Sequence, residues 1–148
     1  MSKKVSRDIP LAEITLRRYE KPYDLNDREL VKKVCLSLGL LQPGDSRDVV
    51  VDVLSVLLNA QKKKILLSSK DIGDNVIALR KENNLQLIGI ASSNIRRQIK
   101  RLKDLFLIET INNSYRIVEF ENMNKIFEEK VESFYLKNIL SRVKEYLR

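Results

Sequence analysis

The segment at residues 92–109, SSNIRRQIKRLKDLFLIE, carries the strongest pattern in the chain. Its apolar residues Ile95, Ile99, Leu102 and Phe106 recur at helical spacing. At about 100° per residue they fall on one narrow stripe. The basic residues lie on the opposite arc, which only Asp104 interrupts: Arg96, Arg97, Lys100, Arg101 and Lys103. The segment therefore predicts an amphipathic helix that buries its stripe and presents a positive face to solvent.

This positive face has two interpretations. The exposed face of an ordinary surface helix usually carries both signs of charge, whereas residues 92–103 contain no acid. A helix that reads DNA needs a buried stripe to fix its angle and outward arginines to reach guanine edges or phosphates. Ser92, Ser93 and Asn94 open the helix, where amides and short polar side chains suit a phosphate or a base edge. The alternative is a solvated face on which Ser93 serves only as the N-cap. We favour the nucleic-acid interpretation.

The composition supports a polyanionic partner and excludes several kinds of chemistry. The 148 residues carry a formal net charge of +8, which favours DNA, RNA or an anionic membrane. Cys35 is the only cysteine and there is no histidine, so an internal disulfide, a His/Cys zinc site and histidine-based catalysis are excluded. A phosphate-binding glycine loop is also absent from the sequence. We therefore predict that the protein is not an enzyme and has no catalytic residue, metal site or cofactor. Asp45, Asp48 and Asp52 are expected at helix caps or on helix surfaces.

Residues 1–45 predict an N-terminal arm followed by a helix. ITLRRYE, residues 14–20, alternates loosely between apolar and polar and suggests a short edge strand. A helix follows at about residues 27–38, with Asn26 as N-cap, Glu29 completing a capping box, and Gly39 just beyond its end. The basic residues of the arm are candidates to follow a DNA backbone: Lys3, Lys4, Arg7, Arg17 and Arg18.

Helices and short strands are also predicted between residues 45 and 120. The first is a largely buried helix at 45–64, capped by Asp45 or Ser46, and a very short strand at 65–67 follows it. A second helix, opened by Ser68-x-x-Asp71, leads to an apolar link at 85–91 that is expected to pack on the core. The helix at about 93–105 comes next, followed by two strands within 107–120 that turn at Asn112 and Asn113.

This order of elements, together with SSKDI, SSNIRRQIKRLKDLFLIE and the hairpin INNSYRI, resembles the winged helix-turn-helix superfamily over about residues 46–120. The resemblance implies a winged-helix domain whose recognition helix, at about 93–105, enters the major groove. Its wing, at about 107–120, would contact the backbone or the minor groove. Phe106 stands where the superfamily usually has a glycine, because the chain there leaves the helix in a left-handed conformation.

The predicted fold is thus mainly α with a small β-hairpin: a winged-helix domain with an N-terminal arm and helix and a long C-terminal helix. Candidate DNA-binding residues come from the recognition helix and the wing: Ser92, Ser93, Asn94, Arg96, Arg97, Lys100, Arg101, Lys103, Asn112, Asn113 and Arg116. Residues 121–148 predict one amphipathic helix, with an apolar side formed by Phe127, Val131, Phe134, Tyr135, Ile139, Val143 and Tyr146. This helix either folds onto the domain or pairs with its copy in a homodimer, and we favour the homodimer.

The leading functional hypothesis is sequence-influenced binding of double-stranded DNA by a transcriptional regulator or chromatin-associated factor. The alternative is a winged-helix module for protein interaction in a replication or transcription assembly. RNA remains open as a variant of the first hypothesis. The N-terminus lacks the apolar run of a signal peptide, and no apolar run is long enough to span a membrane. We therefore expect a soluble cytoplasmic protein, associated with the nucleoid if it binds DNA.

Overall fold

The computed structural model describes residues 8–148. Residues 1–7 lie outside this range. They include Lys3, Lys4 and Arg7 and the start of the segment from which the absence of a signal peptide is predicted. The described chain is mainly helical with a small antiparallel sheet. Its principal helices are α1 (Asp27–Ser37), α2 (Val49–Lys63), α3 (Ser69–Glu82) and α4 (Ser92–Asp104), followed by α5 (Met123–Ile126), a π-helical segment (Phe127–Leu136) and α6 (Lys137–Tyr146). The last three are continuous and are called the C-terminal helix. The strands are β1 (Leu67–Ser68), β2 (Ile108–Ile111) and β3 (Ser114–Ile117).

Helix α1 begins and ends where its capping residues predict. The Asn26 side chain accepts a hydrogen bond from the Glu29 amide at 2.8 Å. The Glu29 carboxylate, however, accepts from the Asn26 side chain rather than from its backbone, so only half of the predicted capping box forms. Gly39 follows the helix at φ +71°, and a Cβ placed there would lie 2.5 Å from the Thr15 Cβ. Glycine is required at this point because the arm crosses directly over it.

The predicted strand at residues 14–20 is wrong, because the arm pairs with the end of a helix instead of a strand. Its backbone donates from Arg17 to the Ser37 carbonyl at 2.8 Å. The Arg17 guanidinium donates to the carbonyls of Leu36 and Leu41 at 2.9 and 3.2 Å. These bonds satisfy the carbonyls of Leu36 and Ser37 in the last turn of α1 and of Leu41 in the turn that follows the helix. Arg17 is therefore a structural cap rather than a free cation of the arm.

Helix α2 is the centre of the core, as its nearly continuous apolar sequence predicts. It begins at Val49, with Asp48 in the N-cap position, so the predicted caps Asp45 and Ser46 are wrong. Eight of its apolar side chains are buried: Val49, Val50, Val51, Val53, Leu54, Val56, Leu57 and Ala60. Helices α1, α3 and α4 all pack against it.

A buried ion-pair cluster fixes α1, α2 and α3 relative to one another. Asp52 is fully buried and Arg80 is 3% exposed, and their nearest side-chain atoms are 2.5 Å apart. Arg80 also contacts Asp48 at 3.0 Å, and Arg28 contacts the two carboxylates at 3.1 and 3.3 Å. The prediction of solvent-facing or purely capping roles for Asp48 and Asp52 is wrong, because two arginines from other helices compensate for their burial.

Burial opposes ionisation of Asp48, but hydrogen bonds from Arg28 and Arg80 outweigh it, so the pKa of Asp48 lies below its ordinary value. The Arg80 guanidinium also donates to the Gln86 carbonyl at 2.7 Å. The cluster thus extends from α1 to the link between α3 and α4.

Helix α3 and the hairpin of β2 and β3 form from local sequence signals. Ser68 and Asp71 make the predicted capping box of α3. Asn112 and Asn113 have φ values of +48° and +64° and join β2 to β3, as a two-residue turn between antiparallel strands requires. Strand β1 pairs with the outer side of β3, which gives the sheet order β1-β3-β2. Strand β1 comprises Leu67 and Ser68, whereas the sequence predicts the strand at residues 65–67. Ile65 and Leu66 are exposed and lie before the strand.

The link between α3 and α4 is held by polar contacts. Leu87 and Ile88 are 41% and 42% exposed, so the prediction that the link packs on the core is wrong for them. Only Ile90 packs partly against the core. Two hydrogen bonds to backbone carbonyls fix the link instead. The Arg80 side chain donates to the Gln86 carbonyl, and the Asn94 side chain donates to the Gly89 carbonyl.

Candidate nucleic-acid interface

Helix α4 is seated on the core by three residues of the predicted stripe, whereas the fourth, Phe106, lies beyond the end of the helix at Asp104 and is only half-buried. Ile95, Ile99 and Leu102 are all buried. The helix begins at Ser92 with Ala91 in the N-cap position, and no side chain caps it. Ser92 and Ser93 are therefore exposed residues of the first turn, and the alternative role of Ser93 as N-cap is wrong. Of the first-turn amides, that of Asn94 donates to the Ala91 carbonyl at 2.9 Å, which leaves those of Ser92 and Ser93 to stabilise an anion.

The outward face of α4 carries four exposed cations. Arg96, Arg97 and Lys103 have no carboxylate partner among residues 8–148. Lys100 pairs with Asp104 at 3.1 Å, and both side chains are largely exposed. Because a pair this exposed is worth at most about 1 kcal/mol, a phosphate can readily compete for the lysine.

One flank of α4 is occupied by a chain of hydrogen bonds that involves two of the predicted binding residues. Asn94 donates to the Gly89 carbonyl at 2.7 Å, Gln98 donates to Asn94 at 3.0 Å, and Arg101 donates to Gln98 at 2.9 Å. The Arg101 guanidinium also reaches the Gly39 carbonyl at 3.4 Å. Asn94 and Arg101 are half-buried, so the prediction that Arg101 faces freely outward is wrong. The helical spacing of residues 94, 98 and 101 is the signal that indicates such a chain.

The hairpin presents two of its three predicted residues. Asn112 and Asn113 are exposed at its tip. Arg116 instead contacts the Glu109 carboxylate at 2.7 Å, and its guanidinium carbon lies 4.9 Å from the centre of the Phe120 ring. The prediction that Arg116 is a freely exposed polar residue is wrong, because its ion pair spans β2 and β3. Arg116 therefore stiffens the hairpin.

Glu109 is held ionised by its partners in the hairpin. Burial opposes its charge, but the Glu119 amide donates to the Glu109 carboxylate at 2.8 Å and Arg116 adds its ion pair, so the pKa of Glu109 lies below its ordinary value.

Phe106 connects the end of α4 to the C-terminal helix. Its φ is +64°, the left-handed region that favours glycine. Its ring packs edge-on against Phe134 and Tyr135, with centroid distances of 5.7 and 5.3 Å. The Tyr135 hydroxyl donates to the Glu13 carbonyl at 2.5 Å and accepts from the Glu13 amide at 3.2 Å. The aromatic contacts offset the backbone strain and tie α4, the C-terminal helix and the arm together.

The C-terminal helix packs on the domain through its first half. Ile126 and Val131 are buried, whereas no residue of α6 is buried. Phe134, Leu140, Val143, Tyr146 and Leu147 leave an exposed apolar surface along the second half. The predicted apolar side thus divides into a packed part and an exposed part.

Comparison of the chain with protein-family models, curated proteins and solved structures finds no match. Within residues 8–148, no helix combines the length and the apolar composition that crossing a membrane requires. The functional inference therefore rests on the geometry and charge of the site.

Proposed function

We propose that this chain is a winged-helix protein that binds double-stranded DNA with some sequence preference, as a transcriptional regulator or chromatin-associated factor. The observation that carries the proposal is the outer face of α4. Arg96, Arg97 and Lys103 project from it without a carboxylate partner among residues 8–148, while the opposite face is locked into the core. A rigid helix with cations on its free face suits a major groove lined by phosphates.

Affinity and sequence preference come from different contacts. Lysines and arginines that meet phosphates displace bound counterions, which makes affinity fall steeply with salt. Arg96, near the start of α4, is placed to reach base edges and to set the sequence preference. Asn112 and Asn113 at the hairpin tip contact the backbone or the minor groove. The proposal assigns no catalytic residue, metal or cofactor.

The exposed part of the C-terminal helix supports a homodimer. Leu140 and Val143 lie on one side of α6 and are about half exposed, at a spacing that places them on one helix face. Pairing of two copies of α6 would remove this surface from water. A two-fold dimer would then present two copies of α4 to half-sites about one DNA turn apart.

The test replaces the four exposed cations of α4. The variant Arg96→Ala, Arg97→Ala, Lys100→Ala, Lys103→Ala should lose at least a hundred-fold in affinity for a random-sequence duplex, measured by fluorescence anisotropy. Its circular dichroism and melting temperature should stay close to those of the wild type, because all four side chains are exposed. Arg101 is left unchanged because its hydrogen bonds help to hold the fold.

A second variant controls for the loss of net charge. Lys81→Ala, Lys125→Ala, Arg142→Ala, Lys144→Ala also removes four exposed positive charges, but none of them lies on α4. It should bind the duplex within a few-fold of the wild type. Equal loss in the two variants would contradict the assignment of α4 as the reading helix.

The alternative function, a protein-interaction module, is favoured by a different observation. Ile9 and Leu11 of the arm are 66% and 96% exposed, in addition to the apolar surface of α6. If the protein serves only as an adaptor, the wild type will show little salt-dependent duplex affinity. It would instead form a stable complex with another protein that Leu140→Glu abolishes.

A further inference from the structure

A cleft of about 730 Å³ with a mixed polar and apolar lining lies beside α4, on the flank opposite Lys103. The turn between α1 and α2 forms one wall, the link before α4 forms another, and the first three turns of α4 form the third. Its cationic residues are Arg47, Arg97 and Arg101. They come from two separate parts of the sequence, so only the fold brings them together.

The charge of this cleft is unbalanced. Arg47 and Arg97 are exposed and make no ion pair with any residue in 8–148, and Arg101 donates only to uncharged oxygens. Asp45 is the one carboxylate in the lining, and it accepts a hydrogen bond from the Arg47 amide at 2.9 Å within its own turn. Guanidinium groups without a carboxylate partner favour a phosphate, whose oxygens match their donors.

The wall formed by the link before α4 is held by close contacts with its neighbours. Asn94 holds the Gly89 carbonyl, and Gly89 has φ +77°. A Cβ at Gly89 would lie 3.1 Å from the Asn94 side-chain nitrogen and 3.2 Å from a methyl carbon of Val49. Glycine therefore allows the link to lie directly against α2 and α4. The backbone that carries Arg97 and Arg101 is held in place beside the link, which lowers the entropy cost of binding an anion.

We propose that this cleft binds the phosphates of one DNA strand and that Arg47 is a phosphate-binding residue. This inference rests on the proposed function. The major groove is about 12 Å wide, which is close to the diameter of a helix with its side chains, so both flanks of an inserted helix meet phosphates. Arg47, Arg97 and Arg101 would meet one strand, and the opposite flank, with Lys103, would meet the other.

The experiment compares Arg47→Ala with the wild type on a random-sequence duplex across a salt series. We expect affinity to fall roughly five-fold near 0.15 M salt, and the slope of log affinity against log salt to become shallower by about 0.9. The loss should be similar on any sequence, because a phosphate contact carries no base information. Arg47→Lys should keep the wild-type slope. Arg142→Ala, which removes an exposed arginine paired with Glu145 on α6, should match the wild type.

The outcomes separate this inference from the proposed function. If the wild type binds with a salt-dependent slope and Arg47→Ala leaves that slope unchanged, the role of Arg47 is overturned while DNA binding stands. If the wild type shows no duplex binding, both are overturned. A third arm adds inorganic phosphate and follows the amide NMR signals of Gly89 and Ser93. If phosphate shifts these signals and Arg47→Ala abolishes that shift without changing duplex affinity, the cleft binds a free anion and the DNA-strand assignment is wrong.

Discussion

Replacing Phe106 separates two opposing contributions to stability, which are the strain of its left-handed backbone and the packing of its ring. A non-glycine residue in the left-handed region costs about 1–2 kcal/mol. Truncating a buried phenylalanine to alanine costs about 3–5 kcal/mol. Because Phe106 is half-buried, we expect about 2 kcal/mol for its ring contacts with Phe134 and Tyr135. The ring contacts and the strain are therefore similar in size.

Two substitutions resolve these contributions. Phe106→Ala loses the ring and keeps the backbone strain, so the free energy of unfolding should fall by about 2 kcal/mol. Phe106→Gly loses the same ring but relieves about 1 kcal/mol of strain, so its loss should be only about 1 kcal/mol. The measurement is urea denaturation followed by circular dichroism. Hydrogen exchange should show faster opening of residues 130–136 in both variants, because the C-terminal helix loses its anchor.

Tyr146→Ala is the matched control, because it removes an aromatic ring that is 82% exposed on the same helix. It should change the free energy of unfolding by less than about 0.5 kcal/mol. A Phe106→Gly protein more stable than the wild type would show that strain outweighs the aromatic contacts. Unchanged stability in Phe106→Ala would show that the ring does not anchor the C-terminal helix.

Four further predictions follow from buried groups and from α6. Asp52→Asn should lower the free energy of unfolding by about 3–5 kcal/mol, measured by urea denaturation, because it removes the fully buried carboxylate that pairs with Arg80 and leaves Asp48 as the one carboxylate partner of Arg28 and Arg80 among the described residues. The pKa of Asp48 is lower in the folded state than its ordinary value. The ionised Asp48 therefore stabilises the fold fully above the ordinary pKa, and this stabilisation is lost as pH falls through the lowered folded-state pKa. Asp48→Asn should accordingly flatten the decline in stability below about pH 4. Burial raises the pKa of the Cys35 thiol to about 12, so iodoacetamide at pH 8 should alkylate it only after unfolding, as mass spectrometry would show. Leu140→Glu with Val143→Glu should turn a dimer into a monomer in light scattering, and a wild type that is already monomeric would refute the pairing of α6.

Local sequence patterns predict the parts of the fold that depend on neighbouring residues. The stripe of Ile95, Ile99 and Leu102 predicts the buried face of α4. The Asn112–Asn113 pair predicts the turn between β2 and β3. Both patterns are reliable here because helix periodicity and positive φ at asparagine are properties of a few adjacent residues.

Contacts between distant residues are the part that local patterns miss. Asp48 and Asp52 have the spacing of ordinary helix residues, and only their contacts with Arg28 and Arg80 explain their burial. Arg101 has the angular position of an outward cation, but the Gly39 carbonyl lies close enough to bind it. Phe106 lies in the left-handed region just beyond the end of α4. Its aromatic partners lie nearly thirty residues further along the chain.

The most direct test of DNA binding is the salt dependence of the wild-type protein with a random-sequence duplex. If Arg97, Lys100 and Lys103 meet phosphates, with or without Arg47 and Arg101, roughly three to five contacts form per chain. Log affinity should then fall linearly with log salt, with a slope between about −2.7 and −4.5 for each chain bound. A slope near zero, or no measurable binding at 50 mM salt, would contradict the proposed function.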